Sequence, residues 1–487
     1  MKRRALHLWL SAIAATIAVT ACGGGTSSSL PMSFVRSPQT GSPSSPIKHV
    51  VVVIQENRSF DDFFALFPGA DGATRGKRKV ERGGKFVDVW TTLKPHALVM
   101  PTDIQHCRAA FLTDYDGGKM DGFGLVDLGV CREKGKPAGT VVYQYVEQSQ
   151  IQPYWDMADQ WVLADHLFQT QGSGSFTAHQ DLIRGDTAIT SSESLVDNPT
   201  AMPWGCDAGS SVVTSLLTSS GKYLLNKGPF PCTNKFPSSS YYQTLGDLLD
   251  TAGVSWKYYS PCFKAWNKNG CDDGCPTQCS GALLNAFDVI WSVRNGPEWG
   301  TNVSMPETNI FNDITGGALP AVSWVIPADA NSDHPGEPCG CDDGPSWVAS
   351  VVNAIGQSSY WDSTAIVVVW DDWGGFYDSV APKQYKGNVG GLGFRVPAIV
   401  ISPYDIAGSG SQGGYVSHTP YEFGSILKFI EKNWNLGSLN TSDKRANSIG
   451  DVLNYNQQPR AFTMIPSAHS AEYFEKQPRV AQHGDPE

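Results

Sequence analysis

Residues 47–64 read IKHVVVVIQENRSFDDFF, an apolar run that ends abruptly in an acid and an amide. Short, nearly unbroken apolar runs of this kind bury both faces of a strand, as strands of a parallel sheet covered on both sides do. Three other stretches share the character: PAVSWVI (320–326), TAIVVVW (364–370) and VPAIVIS (396–402). All four are expected to be buried parallel strands. Helical patterns, PSWVASVVNAIG from Pro345 and PYEFGSILKFIEKNW from Pro420, lie before the third strand and after the fourth. Strands alternating with helices predict an α/β fold, a three-layer α/β/α sandwich around a mostly parallel central sheet. The stretch from about 203 to 306 lacks this rhythm and is rich in Gly, Cys and aromatic residues, so it is expected to be an insertion over one end of the sheet.

Polar residues fall where the apolar runs stop. Glu56-Asn57 follows the first strand, Asp333-His334 the second and Asp371-Asp372 the third. Ligands bind at the carboxyl edge of an open parallel sheet, so three polar pairs on that edge form a candidate site. Three carboxylates and an amide are hard oxygen donors, and they point to one divalent cation held by Glu56, Asn57, Asp371 and Asp372. Calcium suits such a set, with zinc and iron as alternatives. Few of the ten histidines lie near these strand ends in the sequence, which argues for one ion rather than two.

The segment FQTQGSGSFTAHQDLIRG (168–185) supplies a nucleophile in Ser175, with Ser173 as the competing hydroxyl. Glycine lets the backbone approach a ligand closely, and a cation bound to Ser175 would favour its alkoxide.

The N-terminus, MKRRALHLWLSAIAATIAVTAC, combines a basic start, an apolar core shorter than the roughly 20 residues of a bilayer span, and Val19-Thr20-Ala21-Cys22. It predicts a lipoprotein signal over 1–21, lipidation at Cys22 and export to the periplasm or cell envelope; Arg3-Arg4 alone is a weak sign of twin-arginine export. A Gly/Ser/Pro tether follows over 22–46, then a catalytic domain over 47–465 and a polar tail over 466–487. Without Cys22 the eleven cysteines become an even ten, suited to disulfides in an oxidising compartment. Cys107 with Cys131 is one expected pair. Cys262, Cys271, Cys275, Cys279, Cys339 and Cys341 are expected to staple the insertion, with a zinc site as the alternative. Net charge is −11, and signal removal takes away three positive charges and no negative one. No basic run with interleaved aromatics stands out, so nucleic acid is not an expected partner, and attachment to the membrane is expected through the acyl group.

Several blocks occur in one order: HVVVVIQENRSFDDFFALFPG, DGGKMDGF (116–123), GSGSFTAHQDLIRG, WVIPADANSDHP, VVVWDDWGGFYDSVAP, and FRVPAIVISPYD with HTPYEFGSILKFIE. In these blocks the chain resembles the bacterial phospholipase C and acid phosphatase family, whose core is similar to alkaline phosphatase. The resemblance implies Glu56, Asn57, Ser175, Asp371 and Asp372 as metal ligands and Ser175 as nucleophile. It matches the family's phosphate-contacting histidines to His106 and His334. With Asp333 these are the candidate substrate-binding residues; either histidine is expected to protonate the leaving group, and Asp333 is expected to orient His334 or else to serve as a turn aspartate. Ser379 stands where many relatives carry a histidine, and Ala381-Pro382 replaces a Pro-Pro pair. His418 is expected to be structural.

These readings predict a phosphate-ester hydrolase working through a phosphoseryl intermediate. Because the chain ends soon after HTPYEFGSILKFIEKNW, the expectation leans to an acid phosphatase acting on monoesters, with a phospholipase C acting on diesters as the alternative. A surface lipoprotein that keeps the fold only as a binding module is the non-enzymatic rival.

Overall fold

The computed structural model describes residues 41–201, 204–233, 242–261, 285–336, 342–385, 391–408 and 410–477, together with the backbone of 265–267 and 270–272. Cys22 and the side chains of Cys262, Cys271, Cys275, Cys279, Cys339 and Cys341 lie outside them. Eight strands form the central sheet: β1 (His49–Gln55), β2 (Val162–Ala164), β3 (Trp256–Tyr259), β4 (Val303–Ser304), β5 (Val322–Val325), β6 (Thr364–Trp370), β7 (Ala398–Ile401) and β8 (Tyr415–Ser417). Their spatial order is β4-β3-β5-β1-β6-β7-β2-β8. The four apolar runs lie side by side at its centre, where Val50–Ile54 and Ala365–Trp370 have no solvent exposure.

One strand departs from expectation. VPAIVIS was expected to be parallel, yet β7 runs antiparallel to both β6 and β2, while the other pairs are parallel. A parallel return needs a crossover, usually a helix, and the described residues between Trp370 and Ala398 form none. The antiparallel sense brings the chain just before β7 to the same edge as the end of β6. The stretch expected to lie over one end of the sheet contributes β3 and β4 to the sheet itself.

Beyond the short α1 (Phe60–Phe64) that follows β1, helices cover both faces. Val52 pairs with Trp324 and Gln55 with Trp370; three residues apart on one strand, Val52 and Gln55 point to opposite faces. Trp324 donates its indole N–H to the Leu182 carbonyl in α4 (Ser175–Arg184) at 3.2 Å. Trp370 packs edge-on against Tyr154 of α3 (Gln152–Gln160) on the other face. Each layer has a second long helix: α5 (Gly344–Gly356) beside α3, and α6 (Phe423–Trp434) beside α4. The three-layer α/β/α arrangement is as the strand and helix pattern predicts.

A second apolar cluster, built from Ile104, Phe111, Phe123, Tyr143, Trp373 and Tyr377 among others, supports the loops above the carboxyl edge. It includes the disulfide between Cys107 and Cys131, the expected pair, which caps α2 (Arg108–Tyr115). Cys206 and Cys232 form a second disulfide that the spacing did not suggest.

Candidate active site

β1, β5 and β6 end together, and the residues that follow them turn into one buried crevice. Glu56, Asn57, Asp371, Asp372 and Ser175 are all without solvent exposure. Asn57 adopts φ +54°, a left-handed conformation that Asn tolerates better than most residues. Its backbone N–H donates to Asp371 Oδ1 at 2.9 Å, the same oxygen that accepts from the Asp372 N–H at 2.7 Å. Gly374, at φ +57°, passes directly beneath: a Cβ there would stand 2.1 Å from the Asn57 carbonyl oxygen. The loop after β6 is therefore glycine because the loop after β1 occupies the space.

Ser175 is the first residue of α4, where the unpaired N–H groups make the helix end electropositive. Its Oγ lies 3.1 Å from Asn57 Oδ1 and 3.2 Å from Asp372 Oδ2. Ser173, the competing hydroxyl, is used elsewhere: its Oγ accepts from the Asp197 N–H at 2.7 Å. One helical turn beyond Ser175, His179 comes up on the same side, with Nε2 2.9 Å from Glu56 Oε1 and 3.8 Å from Asp371 Oδ2. Sequence reasoning missed this histidine and undercounted those near the strand ends. The i,i+4 spacing from Ser175 was the signal available to find it.

Burial pushes the Asp371 carboxyl well above the ordinary range, and the charge of Glu56 adds to the effect; His179 and hydrogen bonds from Asn57 and Ser175 pull the other way. Its Oδ2 is buried and accepts no hydrogen bond. A buried carboxylate oxygen left in this state beside a second buried acid is costly unless a cation compensates it. Glu56, Asp371 and His179 bring three donor atoms within 4.8 Å of one another. The donor set fits a cation, with one nitrogen added to the oxygens that the sequence indicated.

His106 is fully buried, and its Nδ1 lies 2.6 Å from the Ile104 carbonyl, to which it donates. Nε2 then accepts from the Asn57 amide at 3.0 Å. That bond turns Asn57 Oδ1 toward Ser175. His334 stands beside it, ring centroids 6.1 Å apart, with its Nδ1 2.5 Å from the Pro335 carbonyl.

One expectation changes. Asp333 does not orient His334: its Oδ2 accepts from the Tyr154 hydroxyl at 2.7 Å and the Trp370 indole at 3.0 Å, inside the α3 layer. Its backbone has φ +67°, and this left-handed turn sends the two neighbouring side chains apart. Burial and the charge of Asp342 hold its carboxyl well above the usual range. Ser379 is tied into a structural ion cluster, its Oγ accepting from Arg395, which also pairs with Asp378. His418 lies apart on β8's end with Nδ1 2.7 Å from Asp165.

The phosphoesterase family model matches residues 47–437. The chain is similar to a non-hemolytic phospholipase C of Burkholderia pseudomallei, 25% identical, over 80% of this chain and 55% of the relative. It is likewise similar to phospholipase C A of Mycobacterium tuberculosis, 25% identical, over 83% of this chain and 76% of the relative. The chain thus spans about half the length of the first of these relatives. Among solved structures, a protein of the alkaline phosphatase superfamily from Vibrio parahaemolyticus aligns over 85% of this chain and 75% of its own, at 10% identity and a TM-score of 0.33.

Proposed function

The chain belongs to the phosphoesterase family, and from that premise we propose that it is a metal-dependent hydrolase of phosphate esters whose nucleophile is Ser175. The observation that supports this reading is the convergence of one buried hydroxyl, Ser175 Oγ, on Asn57 and Asp372 beside the Glu56–His179–Asp371 cluster. A module kept only for binding has no use for a hydroxyl placed there. Glu56, Asn57, Ser175, Asp371 and Asp372 would hold the ion, with His179 as a further donor that moves the fit from calcium toward zinc or iron. When bound, the ion supplies Lewis-acid charge that favours the serine alkoxide.

The residues of the chain carry the remaining steps. Ser175 Oγ passes its proton to Asp372 Oδ2 and attacks phosphorus, the bond from phosphorus to the leaving oxygen breaks, and the phosphoryl group stays on Ser175 until water removes it. His106 holds Asn57 in the orientation that faces Ser175. His334, beside His106, gives a proton to the departing alkoxide. The N-terminal end of α4 offsets negative charge as it develops.

The preferred substrate is a phospholipid phosphodiester. Sequence reasoning leaned to monoesters, but the relatives are phospholipases C by name, and this moves the proposal to the diester. The test is hydrolysis of p-nitrophenylphosphorylcholine against p-nitrophenyl phosphate, by wild type and Ser175→Ala. The diester reading expects the first to be turned over faster, with loss in the variant. Turnover of the monoester alone would restore the phosphatase reading. The signal over 1–21, lipidation of Cys22, the tether over 22–46 and the domain limits 47–465 remain part of the proposal. Among the described residues no helix is long and apolar enough to cross a membrane.

A further inference from the structure

We propose that the hairpin from Arg75 to Thr92 is a docking element for an anionic phospholipid surface, a role separate from the chemistry of the crevice. Its two strands, Arg75–Arg82 and Lys85–Thr92, pair antiparallel over their full length. Gly83 and Gly84 make the turn at φ +58° and +74°, the positive pair that a two-residue hairpin requires. A Cβ on either would meet nothing within 4 Å, so the tip stands in solvent. The base is anchored: Gly76 abuts the Tyr377 ring, the Tyr143 hydroxyl donates to the Lys77 carbonyl at 2.7 Å, and the Lys79 N–H donates to the Asp121 carbonyl at 2.8 Å.

Large apolar side chains are exposed on this projection where a soluble surface would bury or omit them. Phe86 is 57% exposed, Val87 38% and Trp90 58%. Phe86 and Trp90 form a patch on one face of the projection, and Val87 adds an exposed apolar side chain to the opposite face. Phe86 and Trp90 lie four residues apart on one strand and therefore on one face. Lys77 is the cross-strand partner of Trp90, and the Arg75 guanidinium lies 4.3 Å from its ring centroid. Arg82 and Lys85 flank the tip. The chain as a whole carries −11, yet this segment has six basic residues against Glu81 and Asp88. Lys79 is turned inward to Asp121 and the half-buried Arg78 donates to Thr91 Oγ1 at 3.2 Å, which leaves Arg75, Lys77, Arg82 and Lys85 on the outside.

Indole and phenyl rings flanked by cations match the interfacial layer of a bilayer, where the rings sit at the level of the headgroups and the cations meet phosphate. A nucleic-acid surface would use the rings as stacking planes, but Val87 offers no plane and no hydrogen bond. It gains only from an apolar phase.

The test is sedimentation of the full chain with vesicles of phosphatidylcholine alone or mixed with phosphatidylglycerol, at low and high salt. Wild type is expected to partition preferentially onto the anionic vesicles, less so at high salt. Phe86→Ser with Trp90→Ser, and separately Arg75→Gln with Lys77→Gln, are each expected to lower that partitioning by ~10-fold or more. Arg82→Gln with Lys85→Gln, at a tip against which nothing packs, gives the same sign without risk to folding. All three variants should keep the wild-type melting temperature and the wild-type rate on p-nitrophenylphosphorylcholine in solution. Equal binding by wild type and variants, as attachment through the apolar N-terminal run alone would give, overturns the proposal. So does equal binding to neutral vesicles, or tighter binding to an oligonucleotide than to lipid.

Discussion

Gly374 and Gly83 share one backbone conformation, φ +57° and +58°, in opposite surroundings. At Gly374 the missing side chain is space already taken by the Asn57 carbonyl; at Gly83 it is open solvent. The crevice is built by mutual exclusion, each loop fixing the next, so that a hydroxyl, three carboxylates and an amide are held in place. The hairpin is built by projection, fixed at its base and free along its length. The contrast teaches where change is tolerated: chemistry depends on the first region and contact with an outside surface on the second.

The largest effect that separates the regions is expected from Ser175→Ala. Turnover of the preferred ester should fall by at least ~1000-fold, with the fold retained, because the attacking atom is gone and little else changes. A variant within tenfold of wild type, by initial rates, would remove the crevice from the account. Chelation comes next. Stripping the ion should abolish turnover and lower the melting temperature by several degrees, since the buried acids lose their compensation; metal analysis with calorimetry checks both. Unchanged activity in protein shown to be metal-free would refute the donor set.

The glycine pair gives a direct contrast. Alanine at either position meets the left-handed backbone penalty, roughly 1–2 kcal/mol. Gly374→Ala must also displace Asn57, so it should cost a further ~1–3 kcal/mol and lower turnover by ~100-fold. Gly83→Ala should leave turnover untouched. Denaturant melts and rates measured on both variants decide it; equal effects would dissolve the distinction.

The smallest effect concerns stability alone. Burial lifts the Asp405 carboxyl to about 7, against the pull of Arg460. A folded value above the ordinary ~3.9 means that the fold holds a proton the unfolded chain releases. Stability from this group therefore falls as pH rises from about 4 to 7 and is flat above. Asp405→Asn lacks that component, so its melting temperature relative to wild type should climb across the window. A constant difference would contradict the assignment.

Much of this was legible in the sequence, because burial on both faces writes itself as uninterrupted apolar runs. β1, β5 and β6 were readable in position and in sense. β7 was readable only in position, since an apolar run carries no direction and its sense depends on the absence of a crossover helix. Glu56, Asn57, Asp371 and Asp372 could be placed at one edge because each directly follows a strand. His179 was hidden because it reaches the edge from a helix rather than a strand end. Asp333 was misread because adjacency to His334 says nothing about side-chain direction once the backbone turns left-handed. The hairpin escaped notice because Arg75 and Lys77 meet Trp90 only across a turn, and a net charge of −11 conceals a local basic face.

Acid quenching during the first turnovers of the wild-type enzyme, followed by peptide mass spectrometry, asks whether Ser175 is the attacking group. A phosphoryl fragment of the substrate covalently attached to Ser175 is the predicted result. An unmodified Ser175 peptide, from enzyme that is turning over and has slow product release, together with the fragment on another residue, would contradict it.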